Sequence, residues 1–200
     1  MAVSSLAEEA AAPSAAATRL WCWRHPRAIG ASGRCIGRTD LPVDPRKAKR
    51  LAHRVRALAR REGLPPAVWV SPLLRAHEVG RWLRRWGWQV VVDARLVEMD
   101  FGHWDGRRWV EIAWAEVQAW EVDLLQHAPG GGESLAQLAL RVRDFVDEAA
   151  GAPRQVIGHG GWINALLRLQ SLQAGGTRMA AADWPAAPPH ASLRRWPAGG

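Results

Sequence analysis

Apolar residues along the chain gather into short runs that stop at polar junctions. "RLWCW" (19–23) ends at Arg24-His25, "AVWV" (67–70) at Ser71-Pro72 and "QVIG" (155–158) at His159. Runs of four or five residues suit strands. Between them the period changes. Over "LLRAHEVGRWLRRW", Ala76, Val79, Leu83 and Trp86 recur at spacings of three and four, which predicts a helix with one buried face. "RKAKRLAHRVRALARRE" does the same with Ala48, Leu51, Val55 and Leu58, its arginines filling the other side. "GGWINALLRLQ" opens a further helix directly after His159. Short strands alternating with helices indicate an α/β sheet.

A fourth candidate strand, "WQVVVDARL", runs into "VEMDFGHWDG", where Gly102 and Gly106 mark turns. "RRWVEIAWAEVQAWEVD" then reads as a helix. "HAPGGGES" is a loop. Ser134 with Gln137 has the form of a capping box opening "LAQLALRVRDFVDEAA", whose buried stripe is Leu135, Leu138, Val142 and Phe145. Beyond Gln170 the pattern fades into Ala, Gly and Pro, with "ASLRRW" as a last strand. No internal boundary is visible. The expectation is an alanine-rich, disordered extension over 1–18 and a single domain over 19–200. The start carries no basic leader, and Glu8 and Glu9 interrupt it, so no secretory signal is expected.

Composition narrows the class. At 48% hydrophobic and 23% charged, 200 residues can bury a sizeable core. No stretch reaches the roughly 18 apolar residues of a membrane span. Cys22 and Cys35 make neither a disulfide framework nor a zinc spacing; Cys22 reads as a small core residue in a reducing, cytoplasmic compartment. The formal charge of +8 is carried almost wholly by arginine, which suits nucleic acid, anionic lipid or a small phosphorylated substrate. Thirteen tryptophans, with no tyrosine and two phenylalanines, put indole where other aromatics usually form the core.

Parallel strands would bring Arg24, His25, Arg75 and His159 to one edge of the sheet, where ligands of open α/β sheets bind. Two guanidinium forks can hold a phosphoryl group from two sides. Their charge keeps an imidazole between them neutral, and a neutral imidazole can attack phosphorus. The second imidazole and the N–H groups of the helix start, at Gly160, could hold the anion. The leaving oxygen needs a proton from a carboxylic acid. Glu98 follows a strand and precedes a turn, with Asp100 and Asp105 as competitors that spacing alone does not separate.

Six fragments then appear in order: "RHP", "GRCIGRTDLPVDP", "SPLLRAHEVG", "LVEMDFGHWDG", "PGGGESLAQLALRVRDF" and "VIGHGGWINALL". Together, over Leu20 to about Gln170, they resemble the histidine phosphatase superfamily, and most closely its alpha-ribazole phosphatase branch, which acts in cobalamin biosynthesis. The resemblance implies a phosphoglycerate mutase-like fold, a three-layer α/β/α sandwich with a mostly parallel central sheet. It implies His25 as phosphorylated nucleophile, Arg24 and Arg75 as phosphate-pocket arginines, His159 as second histidine and Glu98 as proton donor. It implies no metal and no organic cofactor. Pro26 stands where the family usually has glycine, which removes an N–H, and Ile36 stands where an aromatic residue is common.

The reading is a phosphomonoester hydrolase, with alpha-ribazole 5′-phosphate as substrate; alternatives are a broad-specificity small-molecule or phosphohistidine protein phosphatase, or a non-catalytic arginine-rich nucleic-acid binder. The expected partner is a small phosphorylated substrate, with no nucleic acid and no membrane. The oligomeric state is not readable. Arg38 and Asp40 in "GRTDLP" read equally as substrate contacts and as a structural turn. Glu133 and Ser134 lie near the pocket or simply cap a helix. His53, His77, His103, His127 and His190 are taken as incidental.

Overall fold

The computed structural model describes residues 18–149, 151–169, 172, 179 and 181–197. Of the expected extension over 1–18, residues 1–17 lie outside that set. The strands are β1 Leu20–Arg24, β2 Ala67–Val70, β3 Gln89–Val92, β4 Arg154–Gly158 and β5 Leu193–Trp196. They form one sheet in the order β3-β2-β4-β1-β5. The first four run parallel, and β5 lies antiparallel on β1.

The helices are α1 Pro45–Glu62, α2 Leu74–Arg85, α3 Trp114–Val122, α4 Leu135–Glu148 and α5 Gly160–Leu167. Each start and stop has a local cause. Asp44 accepts the Arg46 N–H at 2.8 Å to open α1, and Gly63 closes it in the left-handed conformation. Ser134 and Gln137 cap α4 reciprocally, at 3.3 and 2.8 Å. The helix read over 107–123 is shorter than its pattern. Trp109–Glu111 is a separate turn, pinned where the Glu111 carboxylate accepts the Arg108 N–H at 2.9 Å, and α3 begins only at Trp114.

Strand alternation sorts the core into two layers. Leu20, Cys22 and Val156 pack with α4 and α5 through Leu138, Val142, Phe145, Trp162 and Ile163. Trp21, Trp23 and Ile157 face the other way, against α1 and α2 through Leu51, Val55, Val79 and Leu83. This is the expected three-layer α/β/α sandwich. Cys22 and Cys35 are both buried and unbridged. Among the described residues, no helix is long and apolar enough to cross a membrane.

The layers diverge where it matters. The chain leaving β1 passes to α1 on one face, whereas the chain leaving the adjacent β4 enters α5 on the other. A crevice opens at such a switch point, beyond the carboxyl ends of the strands.

Candidate active site

Register places the two histidines. Arg24 of β1 lies opposite Gly158 of β4, and the His25 N–H donates to the Gly158 carbonyl at 3.0 Å. The next residue on each strand is an imidazole, so neighbouring strands deliver His25 and His159 side by side, ring centroids 4.9 Å apart. His25 Nδ1 lies 2.6 Å from the Pro26 carbonyl oxygen. A carbonyl only accepts, so Nδ1 carries the ring proton and Nε2 presents its lone pair. Pro26 has no N–H to offer, but its carbonyl fixes the tautomer a nucleophile needs. Burial, reinforced by the Arg75 guanidinium, holds the His25 pKa well below its ordinary value.

His159 is wholly buried. Its Nε2 lies 2.8 Å from Ser71 Oγ, which also accepts the Leu73 N–H at 3.3 Å. With the Ser71 hydroxyl donating to Nε2, Nδ1 carries the proton, and Nδ1 has no partner among the described residues. Burial lowers the His159 pKa well below the ordinary range, and His25 and Arg75 lower it further. Both rings are neutral at pH 7.

Arg75 enters from the first turn of α2 and is almost wholly buried. It donates to the carbonyls of Thr39 at 2.7 Å and Gly37 at 2.5 Å. That loop is itself tied to Asp105, whose carboxylate accepts the N–H groups of Gly37, Arg38 and Thr39. Asp40 accepts the Leu74 N–H at 2.6 Å. "GRTD" is therefore the scaffold that aims Arg75. The Arg38 side chain points away to an exposed pair with Asp100 at 3.1 Å, so its sequence reading as a substrate contact gives way to a structural role. Arg24 donates to the Pro188 carbonyl at 2.5 Å and keeps its Nε without a partner among the described residues.

Glu98 accepts three backbone N–H groups: Met99 at 3.1 Å, Gly161 at 3.0 Å and Trp162 at 3.1 Å. The N–H groups of the α5 start, expected to meet a ligand anion, thus orient this carboxylate instead. Gly161 is required for the approach: a Cβ there would stand 2.7 Å from Glu98 Oε1. Gly160, expected at the anion, has its backbone against Arg24, where a Cβ would lie 3.2 Å from Cζ. Of the three competing acids, Glu98 alone lines the cavity. Asp105 ties the Arg75 loop, and Asp100 holds Arg38 and accepts the Gly102 N–H at 2.8 Å. Glu133 pairs with Arg141 at 2.7 Å and serves the scaffold.

The cavity holds about 440 Å³. Arg24, His25, Arg75 and Glu98 line its polar end, with Arg27 and Arg34 also in its wall. The other end is an apolar arm that includes Met99, Phe101, Trp109, Trp120, Leu124 and Trp184. Tryptophan is thus used for lining as well as core. His53 stacks on Trp86 at 4.5 Å, and His103 pairs with Glu116 at 3.2 Å, both away from the cavity wall. His190, taken as incidental, lines the cavity, its ring 5.4 Å from that of His25. The only signal at that point is a Pro-Pro turn ahead of the last strand, which says nothing of where the turn lands.

A neutral imidazole with a free lone pair, in a cavity also lined by Arg24, Arg75 and Glu98, can take a phosphoryl group and return it to water. Known proteins resemble the chain in sequence and fold. The chain is 35% identical over 167 residues to the "Bifunctional protein Rv2228c" of Mycobacterium tuberculosis, covering 79% of this chain but 45% of that one. It thus spans less than half the length of the first curated relatives it matches. The glucosyl-3-phosphoglycerate phosphatase of Mycobacterium tuberculosis is 29% identical, over 75% of this chain and 76% of its own. The native structure of that mycobacterial phosphatase superposes with a TM-score of 0.67 at 28% identity, over 88% of each chain, and the protein has also been solved with VO3 and with inorganic phosphate. A Thermus thermophilus protein, TTHB049, superposes with a TM-score of 0.63 at 29% identity, over 90% of this chain and 94% of its own. The family model of the histidine phosphatase superfamily (branch 1) matches residues 20–184, a span that runs from β1 through both histidines and all of the cavity wall except Ala187 and His190, and the chain belongs to that superfamily.

Proposed function

We propose that this protein is a phosphatase that hydrolyses small phosphomonoesters through a phosphohistidine at His25. The pairing of two neutral imidazoles 4.9 Å apart, within a cationic pocket, carries this reading. In the first step His25 Nε2 attacks phosphorus, a P–N bond forms and the ester P–O bond breaks. Arg24, Arg75 and the His159 Nδ1–H hold the equatorial oxygens as charge shifts onto them. Glu98 gives its proton to the leaving alkoxide. In the second step water attacks phosphorus, Glu98 takes back a proton, and the P–N electron pair returns to His25. Every group named belongs to the chain itself.

Alpha-ribazole 5′-phosphate is the substrate we favour. The sequence resemblance supports it, and so does the arm lined by Phe101, Trp109 and Trp120, which suits a flat apolar ring held away from the phosphate. A second reading rests on Arg27 and Arg34 in the cavity wall: they suit a substrate with a second anionic group, as in the glucosyl-3-phosphoglycerate of the mycobacterial relative's name. We also infer a cytoplasmic setting from two thiols kept buried and unpaired.

The test is hydrolysis of alpha-ribazole phosphate, 3-phosphoglycerate and an aryl phosphate with a chelator present, plus trapping of labelled enzyme by a denaturing quench at alkaline pH, which preserves the acid-labile P–N bond. Chelator-resistant turnover and a label absent from His25→Ala are expected. Equal rates in the two proteins would reject the mechanism.

A further inference from the structure

The segment after α5 comes back to the site, and the way it is held points to a substrate contact. Residues 188–192 are laced to the loop that bears the nucleophile. The Arg24 N–H donates to the Ser192 carbonyl at 3.0 Å and the Ala191 N–H to the Arg24 carbonyl at 3.0 Å. The Arg24 guanidinium holds the Pro188 carbonyl, and Arg54 of α1 holds that of Ala191 at 2.7 Å. Ala191 sits at φ 58°, in the left-handed region that a residue with a Cβ rarely adopts. A strained backbone fixed from several sides is a recurrent mark of functional segments.

What the strain presents is His190. Its Nδ1 lies 3.3 Å from the His25 carbonyl oxygen. That oxygen only accepts, so Nδ1 carries the ring proton. Burial and Arg24 lower the His190 pKa to about 4, which keeps the ring neutral. Nε2 is then a pure acceptor, and no described residue donates to it. Apart from Glu98 and the attacking nitrogen of His25 itself, the charged side chains that line this cavity are the arginines Arg24, Arg27, Arg34 and Arg75, all donors. An acceptor beside the nucleophile is unsuited to phosphate oxygens. It suits a hydroxyl of the substrate.

We propose that His190 Nε2 accepts a hydrogen bond from a substrate hydroxyl close to the esterified carbon, and so selects phosphates of polyols and sugars. The assignment rests on the phosphatase reading and adds a specificity-determining residue to it.

The experiment compares glycerol 1-phosphate with propyl phosphate, which lacks the hydroxyls, in the wild type, His190→Phe and His190→Gln. Phenylalanine fills the space without an acceptor; glutamine restores one. The wild type should favour glycerol 1-phosphate in kcat/KM by about tenfold, the scale of one well-made hydrogen bond. His190→Phe should bring the ratio to about one, and His190→Gln should recover part of it. A ratio that His190→Phe leaves unchanged, or an equal loss in the phenylalanine and glutamine proteins, would overturn the assignment. Wild-type protein that hydrolyses neither ester, nor an aryl phosphate, would fail one level lower, at the phosphatase reading itself.

Discussion

The two ends of the cavity are built in different ways. At the polar end the groups sit at strand exits and helix starts: Arg24 and His25 leaving β1 and Arg75 opening α2 after β2 line the wall, and His159, between β4 and α5, is buried next to His25 without lining it. Parallel pairing fixes their spacing, and backbone carbonyls and N–H groups hold Arg75, His25 and Glu98. At the apolar end the walls come from the Trp109–Glu111 turn, from α3, which buries none of its residues, and from the returning segment at Trp184. Regular hydrogen bonding positions the chemistry; irregular, lightly packed segments shape what enters. Substitutions at the strand exits and helix starts should therefore reduce turnover of every ester, and substitutions in the arm, or of His190 on the returning segment, should reorder the esters.

The largest effect belongs to His25→Ala. Without the nucleophile the covalent route is gone, and kcat/KM should fall by at least about 10³-fold on all substrates alike. A loss confined to one substrate would break the comparison. Next comes Arg75→Lys. Lysine keeps the charge but cannot donate to the Thr39 and Gly37 carbonyls while forking onto a phosphate. A loss of about 10²-fold in kcat/KM is expected, again independent of the leaving group. Circular dichroism of the same protein checks that the fold as a whole survives.

The same contrast decides what could be read from the sequence. His25, His159 and Arg75 each stand at or just beyond the end of an apolar run, so strand period and a junction residue locate them without the fold. Glu98 needed the resemblance, because Asp100 and Asp105 share its segment; only the fold shows those two engaged with Arg38 and the Gly37–Thr39 loop. Arg38 stays evenly balanced in the sequence for the same reason: a motif gives proximity along the chain, and side-chain direction is set by partners far away. His190 was invisible. Its neighbours, prolines and alanines, have no period, and its position follows from β5 pairing with β1 across some 170 residues. The helix read over 107–123 failed where a side chain, Glu111, closed a turn that periodicity does not register.

The arm gives a smaller and selective effect. Trp120→Ala removes an aromatic wall that meets Phe101 edge-on at 5.9 Å. The preference for alpha-ribazole phosphate over a small alkyl phosphate should drop by about tenfold, the scale of one lost aromatic contact. An equal drop for both esters would show that the wall supports the scaffold and does not read the substrate.

The smallest expected effect is on stability, and it tests whether the polar end is as dry as its geometry implies. Unfolded histidines titrate near pH 6.5. In the folded protein, His25 and His159 have pKa values well below that and His190 one of about 4, because burial and neighbouring guanidinium groups oppose the charged ring. Between those folded values and about pH 6.5, the unfolded chain binds protons that the folded chain refuses. Stability is then fully present above about pH 6.5 and declines as the pH falls. Asp93, where burial is outweighed by the Arg95 hydrogen bonds that lower the carboxyl pKa, acts in a separate window, below its ordinary 3.8. Melting temperature should be flat from about pH 8 to 7 and fall by a few degrees per unit from about 6.5 to 5. His159→Asn should make that fall shallower, since one of the three refused protons no longer counts. A melting temperature that stays level down to about pH 5 would mean that solvent or a counter-charge reaches the imidazoles, and the neutral nucleophile on which the mechanism depends would lose its physical basis.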